Sequence, residues 1–479
     1  CTLFVIHWLS FEWSFDRFHK NHERIYRLTV EKNDPTAGYH SHFARSWYGW
    51  LNNIEKEIPG IKHHARITKW YGGIVKSNEK VFDAKLFFTT PDFFNVFSVD
   101  FVQGTPSGAL SEPFTLILSK AAATKYFGNV NPVGKSMQVY CRNCREKKEY
   151  TVTGVVENFP MNSHFHFDIL AAYEKPDEYA GWAYHYLLLE PGIRPETVTQ
   201  QFPGLAMKYI NSEDAKMLTP YLQNITDIHL KSHKAREFEE NNNARNLFIF
   251  VALGIFVFGI ALFNFMNLQY VHILKKFRTI MILKYNGSDK TDLYRHQLTE
   301  SAILSIVAVF LGYFIFKLLS NPFSTMMGFA RIPFLPIVFY SIPFLFIVAT
   351  LAGLTPLTGL LGTRAIFKAI NKNDRHSDFA LKDNRLIRIS KYLVTLQYMA
   401  TIILFITVFT VTRQINFFMN NRLGNSSGEI INIKNLPVQV TDKYQVFKQE
   451  LMKHSSILNV TSSMEDPADE SMDMMPFET

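Results

Sequence analysis

The sequence predicts an α-helical integral membrane protein with a large extracytoplasmic α+β domain. Long runs without Lys, Arg, Asp or Glu fill its second half. The segments between those runs alternate between strongly basic and nearly uncharged. The first half instead carries short strand-like and helix-like patterns broken by Gly and Pro, as mixed domains do.

Asn246 to Leu274, Ile332 to Thr363 and Tyr392 to Thr412 hold no formal charge, and Ser301 to Ser320 holds only Lys317. Each is about 20 residues or more, enough for a helix to cross ~30 Å of hydrocarbon. Lys275, Lys276, Arg278, Lys284, Lys290 and Arg295 separate the first two runs. Eight further Lys and Arg residues lie between Arg364 and Lys391, whereas Asn321 to Arg331 offers Arg331 alone. Basic loops stay cytoplasmic, so the segment before Leu247 and the tail after Arg413 lie outside. The resulting layout is 1–13, the outer end of a truncated first transmembrane helix; 14–245, the extracytoplasmic domain; and 246–274, a span. A cytoplasmic loop at 275–297 and spans at 298–320 and 332–363 follow. A basic loop at 364–391, a span at 392–412 and the start of a second outside domain at 413–479 complete it. Residues 1–11 are apolar but too short to span, and the chain reads as a fragment of a longer protein.

The net charge of +8 sits largely in the two basic loops. It therefore reads as a topology signal facing anionic lipid. No basic stripe interleaved with aromatics supports nucleic-acid binding.

In the outside domain, Arg24 to Lys32 reads as a strand from its β-branched and aromatic residues. Trp50 to Glu57 reads as a helix stopped by Pro59-Gly60, with strands at Val81 to Thr89 and Phe97 to Val102. Ser119 to Phe127 is a short helix with Ser119 as N-cap and Gly128 as stop. Strands follow at Lys135 to Tyr140, Tyr150 to Glu157, Phe167 to Ala172 and Tyr184 to Leu189, then a helix at Glu196 to Ile210. After the last span, Glu429 to Lys434 reads as a strand and Lys443 to Lys453 as a helix. That order repeats the plan after Phe11, so the fourth complete span opens a second copy of the layout.

Chemistry-bearing motifs are few. Cys141 and Cys144 form one Cys-x-x-Cys at the tip of a strand pair. A structural zinc site needs four ligands, to which His164 and His166 would have to contribute. An oxidising compartment would instead permit a local disulfide. Gly128 to Ser136 (GNVNPVGKS) has five residues between its glycines, where a phosphate-binding loop has four. It reads as a turn, and any ATPase is then a separate subunit. No Gly-x-Ser-x-Gly or His-Glu-x-x-His appears, and Asp16, His19, His164 and Asp168 read as structural polar residues near the domain base. No catalytic, cofactor-binding or metal-ligating residue is assigned. Asn264, Asn267 and Gln397 are intramembrane polar residues suited to interhelical bonds or a substrate path. No charge sits at mid-span, as ion-coupled carriers would require.

Ser14 to Leu28 (SFDRFHKNHERIYRL), Ser119 to Val139 and Tyr150 to Asp168 resemble the extracytoplasmic core of FtsX/MacB-like ABC-transporter permeases. Phe263 to Gln269 (FNFMNLQ), Leu283 to Ser288 (LKYNGS) and Thr299 to Ser301 (TES) resemble their FtsX-type membrane domain. The layout is similar to the double-length permeases common in Bacteroidetes-like bacteria. The resemblance implies a multi-pass protein of the bacterial inner membrane. It implies a cytoplasmic ABC ATPase as partner, with ATP bound there and no cofactor in this chain. It also implies a dimer of permease halves, or a pseudo-dimer within one full-length chain, and a possible periplasmic partner. Arg278, Lys284, Gly287 and Ser288 would form the ATPase-coupling element, with Ser288 and Asp289 opening a short helix along the membrane. Thr279, Met281 and Leu283 depart from the family's usual Glu, Gly and Arg, which puts the strength or partner choice of that contact in doubt. The expected function is extrusion of peptide, drug or lipoprotein cargo. The alternative is a membrane sensor or scaffold controlling a periplasmic partner.

Overall fold

The computed structural model describes residues 2–35, 38–47, 51, 54–77, 80–140, 147–175, 181–210, 212–326, 384–420, 431–433, 436 and 438–462. The Ile332–Thr363 run and the Cys141/Cys144 pair lie outside them. The chain divides into two compact units, residues 1–11 with 245–430 and residues 12–244 with 431–479.

Helix α1 (Thr2–Trp13) leads into β1 (Ile25–Asp34), β2 (Tyr39–Phe43), β3 (Ser46–Trp47) and α2 (Ile54–Glu57). Next come β4 (Ile61–Ser77), β5 (Lys80–Thr89), α3 (Phe93–Val96), β6 (Phe101–Gln103), β7 (Thr115–Ser119) and α4 (Lys120–Phe127). β8 (Ser136–Tyr140), β9 (Lys147–Val156), β10 (Ile169–Ala172) and β11 (Trp182–Leu189) follow. α5 (Pro195–Thr199), α6 (Phe202–Tyr209), α7 (Ser212–Met217), β12 (Leu218–Asn224) and α8 (Ile228–Lys231) complete the domain.

Two sheet regions share β4. Its first half joins an antiparallel layer in the order β12-β1-β11-β4. Its second half closes a ring, β4-β5-β10-β7-β9-β8, because β8 pairs back onto β4. The register shift between Trp70 and Gly73 falls where the strand passes between the regions. The ring encloses Leu86, Leu116, Leu118, Tyr150, Val152 and Ile169, all essentially inaccessible. α4 plugs it with Ala122, Tyr126 and Phe127 and is capped as expected, Ser119 Oγ accepting from the Ala122 N–H at 3.2 Å.

The layer is apolar on both faces, following the two-residue strand period. Leu28 and Val30 of β1 and Leu187 and Leu189 of β11 pack with α2, α5, α6 and α7. Ile25, Tyr184 and Tyr186 face the other way, into an aromatic cluster with Phe93, Phe97, Phe165 and Phe238.

Several expectations need correction. The 17 residues of β4 carry Lys62, His63 and His64 at one end and Gly72-Gly73 near the other, so alternation does not reveal the strand. The strand expected from Phe97 begins at Phe101, because Phe93–Val96 coils first and Phe97 caps that turn. The Glu196–Ile210 helix is two helices, interrupted at Gln200–Gln201; Pro203 sits in the first turn of the second, where its missing N–H goes unneeded, but could not donate to a helix continuing from the first. Ile431–Ile433 form no strand.

In the other unit, α9 (Ala244–Lys275), α10 (Phe277–Tyr285), α11 (Lys290–Met326) and α12 (Asn384–Asn420) are helical. Among the described residues, three segments are long and apolar enough to cross a membrane: Ala244–Phe265, Ala302–Ser320 and Val394–Phe417. The expected loop at 275–297 is therefore mostly helix, and α11 begins earlier and ends later than 298–320. α1 packs on α9 and α11 through Trp8 on Phe250 (centroids 4.5 Å apart) and Phe4 on Phe316 (5.0 Å). A Cβ on Gly254 would sit 3.1 Å from Val5, so the glycine permits this approach. Thr395, Thr401, Thr407, Thr410 and Thr412 each donate to the carbonyl four residues back, so these hydroxyls need no partner from lipid. After α12 come α13 (Val438–Thr441) and α14 (Tyr444–Met452), the latter where a helix was expected.

Candidate functional site

Two stretches of chain enter the extracytoplasmic domain from apolar helices: the end of α1 and residues 232–243, which precede α9. Both are fastened inside the domain by buried polar groups. Glu12, at the end of α1, accepts from His229 Nε2 (2.7 Å) and Asn242 Nδ2 (2.9 Å). Phe15 stacks flat on His229, with centroids 3.3 Å apart and planes 1° off parallel.

Asp16 then turns the chain with φ 59°, a left-handed conformation that Asp tolerates better than most residues. The turn aims its N–H at Asn162 O (2.8 Å). Its carboxylate accepts from the His164 N–H (3.2 Å), Ser163 Oγ (3.3 Å) and His164 Nδ1 (2.9 Å). With Nδ1 donating, His164 Nε2 accepts from the Tyr186 hydroxyl at 2.7 Å. Burial pushes the Tyr186 phenol well above its ordinary pKa, so it stays a donor. His19 Nδ1 accepts from the Ser98 N–H at 3.1 Å, and burial lowers its pKa to about 4 against partial support from Asp16. The sequence placed Asp16, His19 and His164 at the domain base; the structure joins Asp16 to His164. Asp168 instead accepts from the Lys85 N–H at the β5–β10 junction.

Residues 232–243 form a strap with almost no secondary structure of its own. Ala235 exchanges backbone bonds with β2, donating to His42 O (2.8 Å) and accepting from the Ala44 N–H (3.0 Å). Tyr184 donates to Arg236 O (2.7 Å), and Lys69 Nζ to Phe238 O (2.9 Å). Phe238 stacks on Tyr184 at 3.6 Å. Glu239 receives His166 Nδ1 (2.9 Å) and Lys85 Nζ (3.2 Å).

At the centre, fully buried Arg27 grips Glu237. Nη1 lies 2.5 Å from Oε2 and Nη2 lies 3.0 Å from Oε1. Nη2 also donates to Ser232 Oγ (2.9 Å) and Gln223 Oε1 (3.0 Å). Burial opposes both charges, but each partner overrides it, holding the guanidinium pKa up and the Glu237 carboxyl pKa down. Sequence reading missed this pair. The signal was there: Arg27 shares its strand face with Ile25 and Thr29, on a strand apolar on both sides.

The second candidate region is the basic turn between α9 and α11. α10 ends in a glycine cap: Gly287 has φ 90°, and the Ser288 N–H returns to Leu283 O (3.0 Å). The short helix thus precedes Ser288. The helix starting beyond Asp289 is the long α11, because Asp292 N–H bonds Asp289 O there. Arg278 is exposed and Ser288 half-buried. Arg278 and Lys284 are six residues apart on α10 and so do not share a helix face. Exposed Ile282, Leu283 and Tyr285 flank them. Lys276 Nζ reaches both Glu300 oxygens at 2.7 Å and ties α9 to α11 behind this turn. Asn264 is exposed on α9, and Gln397 half-buried on α12; no hydrogen bond joins them among the described residues, and Asn267 lies on α9.

Among the described residues no group of His, Cys, Asp or Glu is arranged to hold a metal ion. The family model for the MacB-like periplasmic core domain matches residues 3–205, and that for the FtsX-like permease C-terminal region matches residues 251–369. A domain of a permease-designated protein from Porphyromonas gingivalis is similar at 22% identity and TM-score 0.37, covering 43% of this chain and 92% of that one. The periplasmic region of MacB from Actinobacillus actinomycetemcomitans is similar at 16% identity and TM-score 0.31, covering 44% and 96%. The extracellular domain of the noncanonic ABC-type transporter YknZ from Gram-positive bacteria is similar at 17% and 0.31, covering 42% and 100%. No curated protein matches the chain. With a MacB-like periplasmic core domain followed by an FtsX-like permease region, the chain belongs to the FtsX/MacB-like ABC-transporter permeases.

Proposed function

We propose that this chain is the membrane subunit through which a separate cytoplasmic ATPase moves the extracytoplasmic domain. That motion would extrude peptide, drug or lipoprotein cargo across or from the bacterial inner membrane. The observation that carries the reading is the α10 turn. A short helix closed by Gly287 displays Ile282, Leu283 and Tyr285 beside basic residues, at a point the charge bias assigns to the cytoplasm. Such a helix suits insertion into a groove on a partner. ATP would bind the partner, and this chain would act as a dimer of permease halves or as a pseudo-dimer within a longer chain.

The test is co-purification of the full-length protein with candidate ATPases. Gly287→Trp and Lys284→Glu are expected to abolish association. Tyr285→Ala is expected to weaken it about tenfold, the loss of one well-buried anchor. Gly287→Ala meets open space but a strained φ, and should weaken it by about 1 kcal/mol. Failure of every ATPase to associate with wild type would sink the reading and favour a sensor or scaffold.

A further inference from the structure

The strap differs from an ordinary linker. Loops joining a domain to a membrane helix are usually exposed and open at little cost. Here residues 232–243 are fastened to six strands: β1 through Arg27, β2 through His42 (and the adjoining Ala44), β4 through Lys69, β5 through Lys85, β11 through Tyr184 and β12 through Gln223. At its ends, Asn241 Nδ2 bonds back to Ser232 O (3.1 Å) and Asn242 reaches Glu12 on the other entering chain.

These fastenings differ in kind. Stacked rings such as Phe238 on Tyr184 hold by area and tolerate sliding. A forked guanidinium–carboxylate contact fixes both position and angle. It also cannot slip by a residue, since slipping would strand the buried Arg27 charge without its counterion. Arg27 is the third residue of β1, paired with Tyr186 of β11 on one side and with Gln223 of β12 on the other. Load arriving at Glu237 therefore enters an interior strand of the layer.

We propose that the strap is the rod that carries displacement of α9 into the extracytoplasmic domain, and that Arg27 is the positioning residue that pins it through Glu237. The proposal rests on the ATPase-driven reading above.

The experiment uses the full-length protein with its ATPase in lipid nanodiscs. Hydrogen–deuterium exchange is read without nucleotide and after trapping with ATP and vanadate. In wild type, trapping is expected to change exchange in β1 and β11 at least about threefold. In Glu237→Gln that difference disappears, while amides 44 and 235 exchange at least about tenfold faster in both states. A purely structural role would alter both states equally and leave the ATP-dependent difference in place. Phe43 and Ala235 are bridge partners, so a disulfide made by Phe43→Cys with Ala235→Cys re-pins the strap. It is expected to restore the difference in the Glu237→Gln background. Should Glu237→Gln not fold, Arg27→Lys keeps the charge, loses the fork, and is expected to at least halve the response.

A wild-type response in either variant, or no rescue by the disulfide, overturns the pin alone. A wild-type complex that binds no ATPase, or whose trapping never reaches β1, overturns the pin together with the reading beneath it.

Discussion

Arg27 occupies a strand position whose neighbours on the same face, Ile25 and Thr29, are fully buried. A charge there is tolerated only with a counterion, and Glu237 arrives from 210 residues away. Glu237→Gln should therefore destabilise the extracytoplasmic domain by about 3 kcal/mol or more, measured by chemical denaturation. Glu157→Gln breaks the exposed Lys120 pair and should cost under about 1 kcal/mol. Histidines give the pH dependence. His19 and His42 are both held down to about 4, chiefly by burial, and His185 well below its ordinary value for the same reason. The unfolded chain takes up these protons near pH 6.5, and the fold refuses them until lower pH. Stability is then full above pH 6.5 and falls as pH drops from 6.5 towards 4. His19 alone accounts for about 3 kcal/mol of that loss at the lower end. His19→Asn, which can still accept from Ser98, should flatten the slope of unfolding midpoint against pH; an unchanged slope would refute this account.

At the scale of elements, the helices and strands are built for different solvents. α12 returns its threonine hydroxyls to its own carbonyls and exposes Phe405, Ile406 and Phe409, as a lipid-facing helix does. α1, short as it is, has a defined seat because Gly254 lets Val5 approach α9. Gly254→Leu should separate the two helices, so that cross-linking between cysteines placed at the Trp8 and Phe250 positions falls severalfold. Unchanged cross-linking would show that the glycine is incidental. β4 makes a comparable point on the soluble side. One continuous strand serves an open layer and a closed ring, and the irregularity at Trp70–Gly73 is what allows both.

For the whole molecule, the bias of basic residues predicts the α10 turn inside and the β-domain outside. With Cys1, Cys141 and Cys144 replaced by Ser, a cysteine at exposed Ser107 should label with an impermeant maleimide added outside. One at exposed Asp289 should label only after permeabilisation; the reverse pattern would invert the topology. Much of this architecture was legible in the sequence. Charge-free runs marked the apolar helices, and local caps such as Ser119 and Gly128 marked α4, because both signals reside in neighbouring residues. Strand β1, the Ser136–Val156 hairpin and β11 were readable for the same reason. β4 and β7 were not, since burial on both faces or interruption by glycine and charge erases the two-residue alternation, and β12 was not because Pro220 breaks its run. The polar base was half legible: Asp16, His19 and His164 stood out by type, but Arg27 and Glu237 did not stand out as a pair. By itself, then, the sequence determined the membrane class and the family, because hydropathy and short motifs act locally. Only the tertiary structure decided that the ring closes through β8 onto β4 and that the strap is pinned at Arg27, because both depend on pairings between residues distant in the chain.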